Sequence, residues 1–237
     1  MKKRSTISKQ VIIIIGPPGA GKGTQATLLA DKLGLYYFET SKIIEKEVMK
    51  AKKGEIVEIE GKKYYLLDEK KIWETGGLCS PPLVTYWVKE KIKELSEKGE
   101  GIVFAGSPRT LYEAENIMPL LSKLYGKKNI KIILFTLSPQ ASIFRNSHRR
   151  ICKLLRHPIL YNEETKKLTK CPLDGSELIK RKKLDDPETI KVRLKEYKKQ
   201  TLPIIEYFKK EGFEVKKISA APPPAVIFKK ILRELQK

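Results

Sequence analysis

The chain has 237 residues, 41% hydrophobic and 32% charged, with a formal net charge of +21. That size and apolar content suit one large α/β domain with insertions, or two small domains, and exclude a chain too polar to build a core. The longest apolar run, VIIII at 11–15, is far too short to span a bilayer, so no membrane partner is expected.

The positive charge invites a nucleic-acid reading, because clustered Lys and Arg neutralise phosphates. Here the lysines are spread through every segment and sit beside Glu on helix faces, as in KEKIKELSEKGE at 89–100. A solvated surface is the expectation, with a field that favours polyanionic nucleotides and no specific nucleic-acid partner. Three cysteines, Cys79, Cys152 and Cys171, form no disulfide framework and point to a reducing, cytoplasmic setting.

In chain order, MKKRSTISK is a ragged basic lead-in, followed by a strand over Gln10–Ile15 and a helix over Gly21–Leu33. A second strand covers Leu35–Glu39. Residues 40–82 start as a helix and then read EIVEIEGKKYYLLDE, whose alternation around Gly61 predicts a β-hairpin. The pattern then gives a helix over Pro82–Lys98, a strand over Gly101–Ala105 and a helix over Leu111–Tyr125. A strand follows over Lys131–Leu137, then a loop-rich stretch over 151–182 with a turn at NEETKKL. A helix over Pro187–Lys210, a strand over Glu214–Ser219, a short APPPA at 221–225 and an amphipathic helix over Ala225–Gln236 complete the chain. Five buried strands alternating with helices predict an α/β fold: a doubly wound, five-stranded parallel sheet binding ligands at the carboxyl ends of its strands. The two long stretches, 40–82 and 151–182, are too long for simple connections and read as insertions covering a ligand site.

The segment Gly16-Pro-Pro-Gly19-Ala20-Gly21-Lys22-Gly23-Thr24 follows a strand and opens a helix. Its glycines let successive backbone N–H groups turn toward an anion, and the helix adds its positive end. Lys22 can then reach β- and γ-phosphates as a point charge. This is the setting of a P-loop NTPase. A glycine stands between the lysine and Thr24, and the form GxPGxGKGTQ resembles the adenylate kinase family.

The resemblance covers nearly the whole chain. It implies a P-loop kinase core made of 1–39, 83–148 and 183–237, a nucleoside monophosphate (NMP)-binding insertion over 40–82 and a lid over 149–182. Gly106-Ser107-Pro108-Arg109-Thr110 is similar to the family's DGFPRT segment, which implies that Arg109 contacts the monophosphate's phosphate, with Gly106 in the same loop. Asp185-Asp186 through Tyr197 resembles the family's DD…RL..Y helix start and places Arg193 among the transferring phosphates. Either Asp185 or Asp186 can cap that helix ahead of Pro187. An upstream arginine of the motif is Lys183 here, with Arg181 two residues earlier. The arginine before the lid corresponds to Arg145, and a second to Arg149 or Arg150. Lys22, Arg109, Arg145 and Arg193 are expected to converge on the phosphates.

Several positions depart from the family pattern. Thr40 is kept in the acceptor segment, but Glu45 stands where an arginine usually holds the α-phosphate, leaving Arg109 and Lys42 more of that contact. Glu113 stands where a glutamine usually reads the adenine edge; a carboxylate can accept from the amine of adenine or cytosine. Ala105 replaces an aspartate that usually organises magnesium-bound water, and Pro81 another acid. Mg²⁺ is then expected on the nucleotide phosphates, Thr24 and water.

In the lid, Cys152, His157, Cys171 and Asp174 have a spacing that resembles zinc-bearing lids of the family, although Leu155 fills the second cysteine's place in the first knuckle. Two thiolates, an imidazole and a carboxylate would make a tetrahedral zinc site; the alternative is a metal-free lid. The implied activity is reversible transfer of the γ-phosphoryl group of ATP to AMP by a monomer. The alternatives are a kinase with an altered or broad acceptor, such as CMP or a deoxynucleotide, and a weakened homologue that binds nucleotide or RNA.

Overall fold

A computed structural model describes residues 10–180 and 185–236. The basic lead-in, Arg181 and Lys183 lie outside the described residues. The core opens with β1 (Val11–Ile15), α1 (Lys22–Leu33) and β2 (Tyr36–Phe38). An excursion follows, made of α2 (Thr40–Met49), β3 (Ile56–Ile59), β4 (Lys62–Tyr65) and α3 (Leu66–Glu74). The chain returns through α4 (Pro81–Glu97), β5 (Ile102–Ala105), α5 (Leu111–Tyr125), β6 (Ile130–Thr136) and α6 (Pro139–Ser147). A second excursion holds β7 (Arg150–Cys152), β8 (Pro158–Ile159) and β9 (Leu178–Ile179). The core closes with α7 (Pro187–Glu196), α8 (Ile204–Lys210), β10 (Val215–Ser219) and α9 (Pro224–Leu235).

The main sheet has five parallel strands in the order β10–β6–β1–β5–β2. Each predicted core strand is present in it. β1 sits at the centre because its β-branched residues are buried on both faces, as a parallel strand covered by helices requires. Val11, Ile13 and Ile15 pack under α4, α5 and α8, while Ile12 and Ile14 pack under α1 and α9. That period of two divides the core into two layers. The hairpin predicted around Gly61 pairs Ile56 with Tyr65 and Ile59 with Lys62. The second excursion carries a small sheet in the order β8–β7–β9. Among the described residues, no helix is long and apolar enough to cross a membrane.

Two expectations need correction. The run Pro187–Lys210 is not one helix: α7 passes into a π-helical turn over Tyr197–Thr201 before α8 begins. Pro203 is the cause, since it has no N–H to donate and its ring crowds the carbonyl one turn back. Helix α6 was not anticipated. Its nine residues are too few for a clear periodic signal, yet Ser138 caps it by accepting from Ala141 N–H at 3.2 Å, with a proline in its first turn.

Candidate active site

At the carboxyl end of β1 the chain curls through residues 16–24 and enters α1. Gly19 and Gly21 both take φ of +76°, the left-handed region that costs a glycine nothing. A Cβ on Gly19 would also lie 2.5 Å from the Asn146 amide, so the loop cannot carry a side chain there. Helix α6 braces this loop: the Ser142 hydroxyl donates to the Pro18 carbonyl at 2.6 Å. Ser142 and Asn146 are both fully buried. They are supporting residues that the sequence reading missed, since nothing local marks a serine 124 positions away as a partner of the loop.

Lys22 donates to the carbonyls of Gly16 and Pro17 at 2.7 and 2.9 Å, which folds its ammonium back across the loop. Its pKa lies well below the ordinary lysine value, first through burial and then through the positive charges of Arg193, Arg109 and Arg149. Positive charge from the end of β5, the end of α6 and helix α7 thus bears on the lysine of the phosphate loop. Repulsion among these cations is offset by whatever anion they bind.

Arg109 and Arg149 are held in place. Arg109 Nε donates to the Gly106 carbonyl, and its own carbonyl accepts from Thr201 Oγ1 at 2.8 Å. Burial lowers its pKa, against the opposing charges of Glu113, Cys79 and Glu39. Arg149 pairs with the Asp185 carboxylate at 3.3 Å and donates to the Asn146 side chain. Arg145 is the exception among the four phosphate ligands expected from the sequence. Its guanidinium donates to the carbonyls of Ala220 and Ala221 at 2.7 and 2.9 Å, where it belongs to the β10–α9 junction. Arg149 stands by Lys22 in its stead. Lys183 lies outside the described residues.

Glu113 is 2% exposed, and its carboxylate accepts from Arg109 N–H at 2.9 Å, from Ser107 Oγ at 3.0 Å and from Thr110 Oγ1 at 3.4 Å. Burial pushes its pKa up against these bonds. In this arrangement the carboxylate shapes the 106–110 loop from beneath and turns both its oxygens to that loop. Thr40, at the start of α2, is fully buried, and its hydroxyl makes no hydrogen bond among the described residues. Lys42 pairs with Glu39 at 2.9 Å. Thr24 is half-buried two residues after Lys22, and Gly23 packs beneath the Tyr37 hydroxyl.

In the second excursion Cys152, His157, Cys171 and Asp174 come together, with one potential ligand atom of each lying within 4.8 Å of all the others. Cys152 Sγ lies 2.9 Å from Asp174 Oδ2, His157 Nδ1 3.3 Å from the same oxygen, and Cys171 Sγ 3.7 Å from His157 Nδ1. Both cysteines are buried and free. Two of the four arrive from the 152–157 turn and two from the 171–174 turn, as the small three-stranded sheet brings those turns face to face.

A lysine-bearing glycine loop at the carboxyl edge of a parallel sheet, ringed by arginines, places the chain among the P-loop phosphotransferases. The adenylate kinase family model matches residues 14–213, and the chain belongs to that family. It is 33% identical over 228 residues to an adenylate kinase of Methanothrix thermoacetophila, covering 95% of this chain and 98% of the relative. It is 31% identical over 242 residues to one of Aspergillus oryzae, covering 99% and 86%. With one of Borrelia garinii subsp. bavariensis it shares 32% identity over 200 residues, covering 84% and 86%.

Proposed function

We propose that the chain is a nucleoside monophosphate kinase that catalyses reversible transfer of the γ-phosphoryl group of ATP to AMP, giving two ADP. The observation that carries this reading is the phosphate loop at the carboxyl end of β1, with Lys22 folded across it and Ser142 bracing it from α6, in a chain that the adenylate kinase family model matches over residues 14–213. Arg109, Arg149 and Arg193, whose charges all bear on Lys22, suit two polyphosphate tails meeting end to end better than a single phosphate.

Phosphoryl transfer asks the protein for alignment, charge neutralisation and exclusion of water rather than covalent chemistry. An acceptor phosphate oxygen forms the new bond to the γ-phosphorus as the bond to the β-γ bridging oxygen breaks, and ADP leaves. The backbone N–H groups of the phosphate loop and Lys22 hold the donor tail. Arg109 and the Thr40 hydroxyl, buried and without a bond of its own, suit the acceptor phosphate. Arg149 and Arg193 take up charge that develops between the two. The 40–82 and 149–182 excursions act as the NMP-binding and lid insertions, closing over the tails so that water does not compete as acceptor.

Magnesium carried by the donor would offset part of the phosphate charge; the Thr24 hydroxyl beside Lys22 offers the hard oxygen donor that this ion takes. The thiol, thiol, imidazole and carboxylate set of Cys152, His157, Cys171 and Asp174 fits structural Zn²⁺, which would clamp the lid without entering the reaction. Three free cysteines accord with a reducing, cytoplasmic setting, and a monomer suits a site whose assigned residues all come from one chain.

The test is a panel of monophosphates offered with ATP and Mg²⁺. AMP is expected to be the best acceptor. Turnover with CMP or a deoxynucleotide above that with AMP would move the acceptor assignment, and no turnover with any of them would refute the kinase reading.

A further inference from the structure

A phosphate loop that handles a magnesium-bound polyphosphate uses its own hydroxyl on the ion, together with an acid at the end of a neighbouring strand that holds the ion or its waters. The five strand ends along the carboxyl edge of the sheet offer few choices. β1 runs into Gly16, β5 ends at Ala105 and Gly106, β6 at Thr136 and Leu137, and β10 at Ser219 and Ala220. Only β2 runs into an acid, Glu39.

Glu39 is on the correct face. Phe38 is in register with Phe104, so the next residues along the two strands, Glu39 and Ala105, are neighbours on the sheet edge. Both phenylalanines pack under α4 and α5. Strand alternation therefore turns Glu39 and Ala105 to the opposite face, where Ala105 packs with Ala20 and Ala26 of the phosphate loop and α1. Tyr37 shares that face, and its hydroxyl lies 3.0 Å from where a Cβ on Gly23 would be. The phenol's pKa is raised by burial and then by the charge and hydrogen bond of the Glu39 carboxylate. The Glu39 charge thus bears on the Tyr37 hydroxyl, which stands over the residue between Lys22 and Thr24.

The carboxylate is held with intent for an acid among so many phosphate ligands. Its side chain is 28% exposed, with Lys42 at 2.9 Å and Ser41 Oγ at 3.3 Å, and its charge is felt at Arg109. Lys42 and Arg109 offset its repulsion toward an incoming anion while leaving it a strong hydrogen-bond acceptor.

We propose that Glu39 is the acid of this site: a positioning residue that orders the water of the magnesium ion brought by the donor nucleotide, with the Thr24 hydroxyl as its partner. This rests on the phosphotransferase reading above. The measurement is the affinity for Mn²⁺·ATP divided by that for metal-free ATP, with bound Mn²⁺ read by electron paramagnetic resonance. E39Q, nearly isosteric, should lower that ratio about tenfold while leaving metal-free ATP binding as tight or tighter. A105D placed in the E39Q chain should restore the ratio, because it returns a carboxylate to the same face one strand over. S41A, which removes the hydroxyl that donates to Glu39 and leaves the acid, should keep the ratio of the unaltered protein. An unchanged ratio in E39Q, or an equal loss in S41A, would overturn the inference. A failure of the unaltered protein to bind Mn²⁺·ATP would instead overturn the phosphotransferase reading on which it rests.

Discussion

Arg149 and Asp185 form an ion pair of 3.3 Å that joins the start of the second excursion to the residue just beyond its end. The Asp185 side chain is 2% exposed, so the pair forms in the interior and helps to hold the guanidinium whose charge bears on Lys22. Asp186, its neighbour, does a different job: it caps α7 by accepting from Glu188 N–H at 3.0 Å and Thr189 N–H at 3.2 Å.

The two acids should therefore separate in mutation. D185N removes the buried carboxylate that Arg149 pairs with, which costs about 1–3 kcal/mol and loosens the placement of that guanidinium. Its kcat is expected to fall roughly tenfold. D186A should lose about 1 kcal/mol of helix capping, seen as a lower Tm, with kcat nearly kept. Equal kcat losses in both would show that Asp185 acts only through the helix.

Arg109 and Arg145 should separate as well. R109A removes a buried contact at the transfer point and should depress turnover about 10²–10³-fold while sparing triphosphate affinity. R145A breaks two bonds to the carbonyls of Ala220 and Ala221, so its effect should fall on stability rather than on the transfer step. Single-turnover rates for the two variants, measured with saturating nucleotides, decide the matter.

Gly76 closes α3 with φ of +87°, and a Cβ there would lie 2.7 Å from Thr189 Cγ2 and 3.2 Å from Arg193 Cγ. The first excursion is thus packed against the helix that carries Arg193. G76A combines a strained backbone with that overlap and should cost roughly 1–3 kcal/mol. The KM for the monophosphate should rise with it. A Tm and KM matching the unaltered protein would show that the two segments do not bear on one another in solution.

Cys79 is buried, and its thiol donates to the Glu69 carbonyl at 3.5 Å. Burial, reinforced by Glu69, pushes its pKa up to about 12. Because the thiolate is the nucleophile, Cys79 should resist iodoacetamide at pH 8 in the folded protein and react once the chain is denatured. Peptide mapping reads both states; equal labelling would contradict the burial of this thiol.

Elemental analysis should find zinc equimolar with protein, and C171S should lose it together with the thermal stability of the lid. Structural zinc sites contribute folding free energy directly, so chelation should produce a separate low-temperature transition. Metal-free protein with an unchanged melting profile would leave the four side chains as a hydrogen-bonded cluster.

What the sequence decided by itself was local. VIIII at 11–15 reads as a buried strand, and GPPGAGKGT after it as a loop that turns N–H groups toward an anion. The alternation around Gly61 marked the hairpin, and the Cys, His and Asp spacing marked the cluster, because each pattern lies within one or two turns of chain. The tertiary structure decided the rest. Which of Arg145 and Arg149 joins Lys22, which of Asp185 and Asp186 is buried, and where the Glu113 carboxylate turns all depend on residues brought together from separate segments. Adjacent identical residues on a chain leave the same trace in a sequence. They part only when packing buries one, and burial is what makes a charge choose a partner.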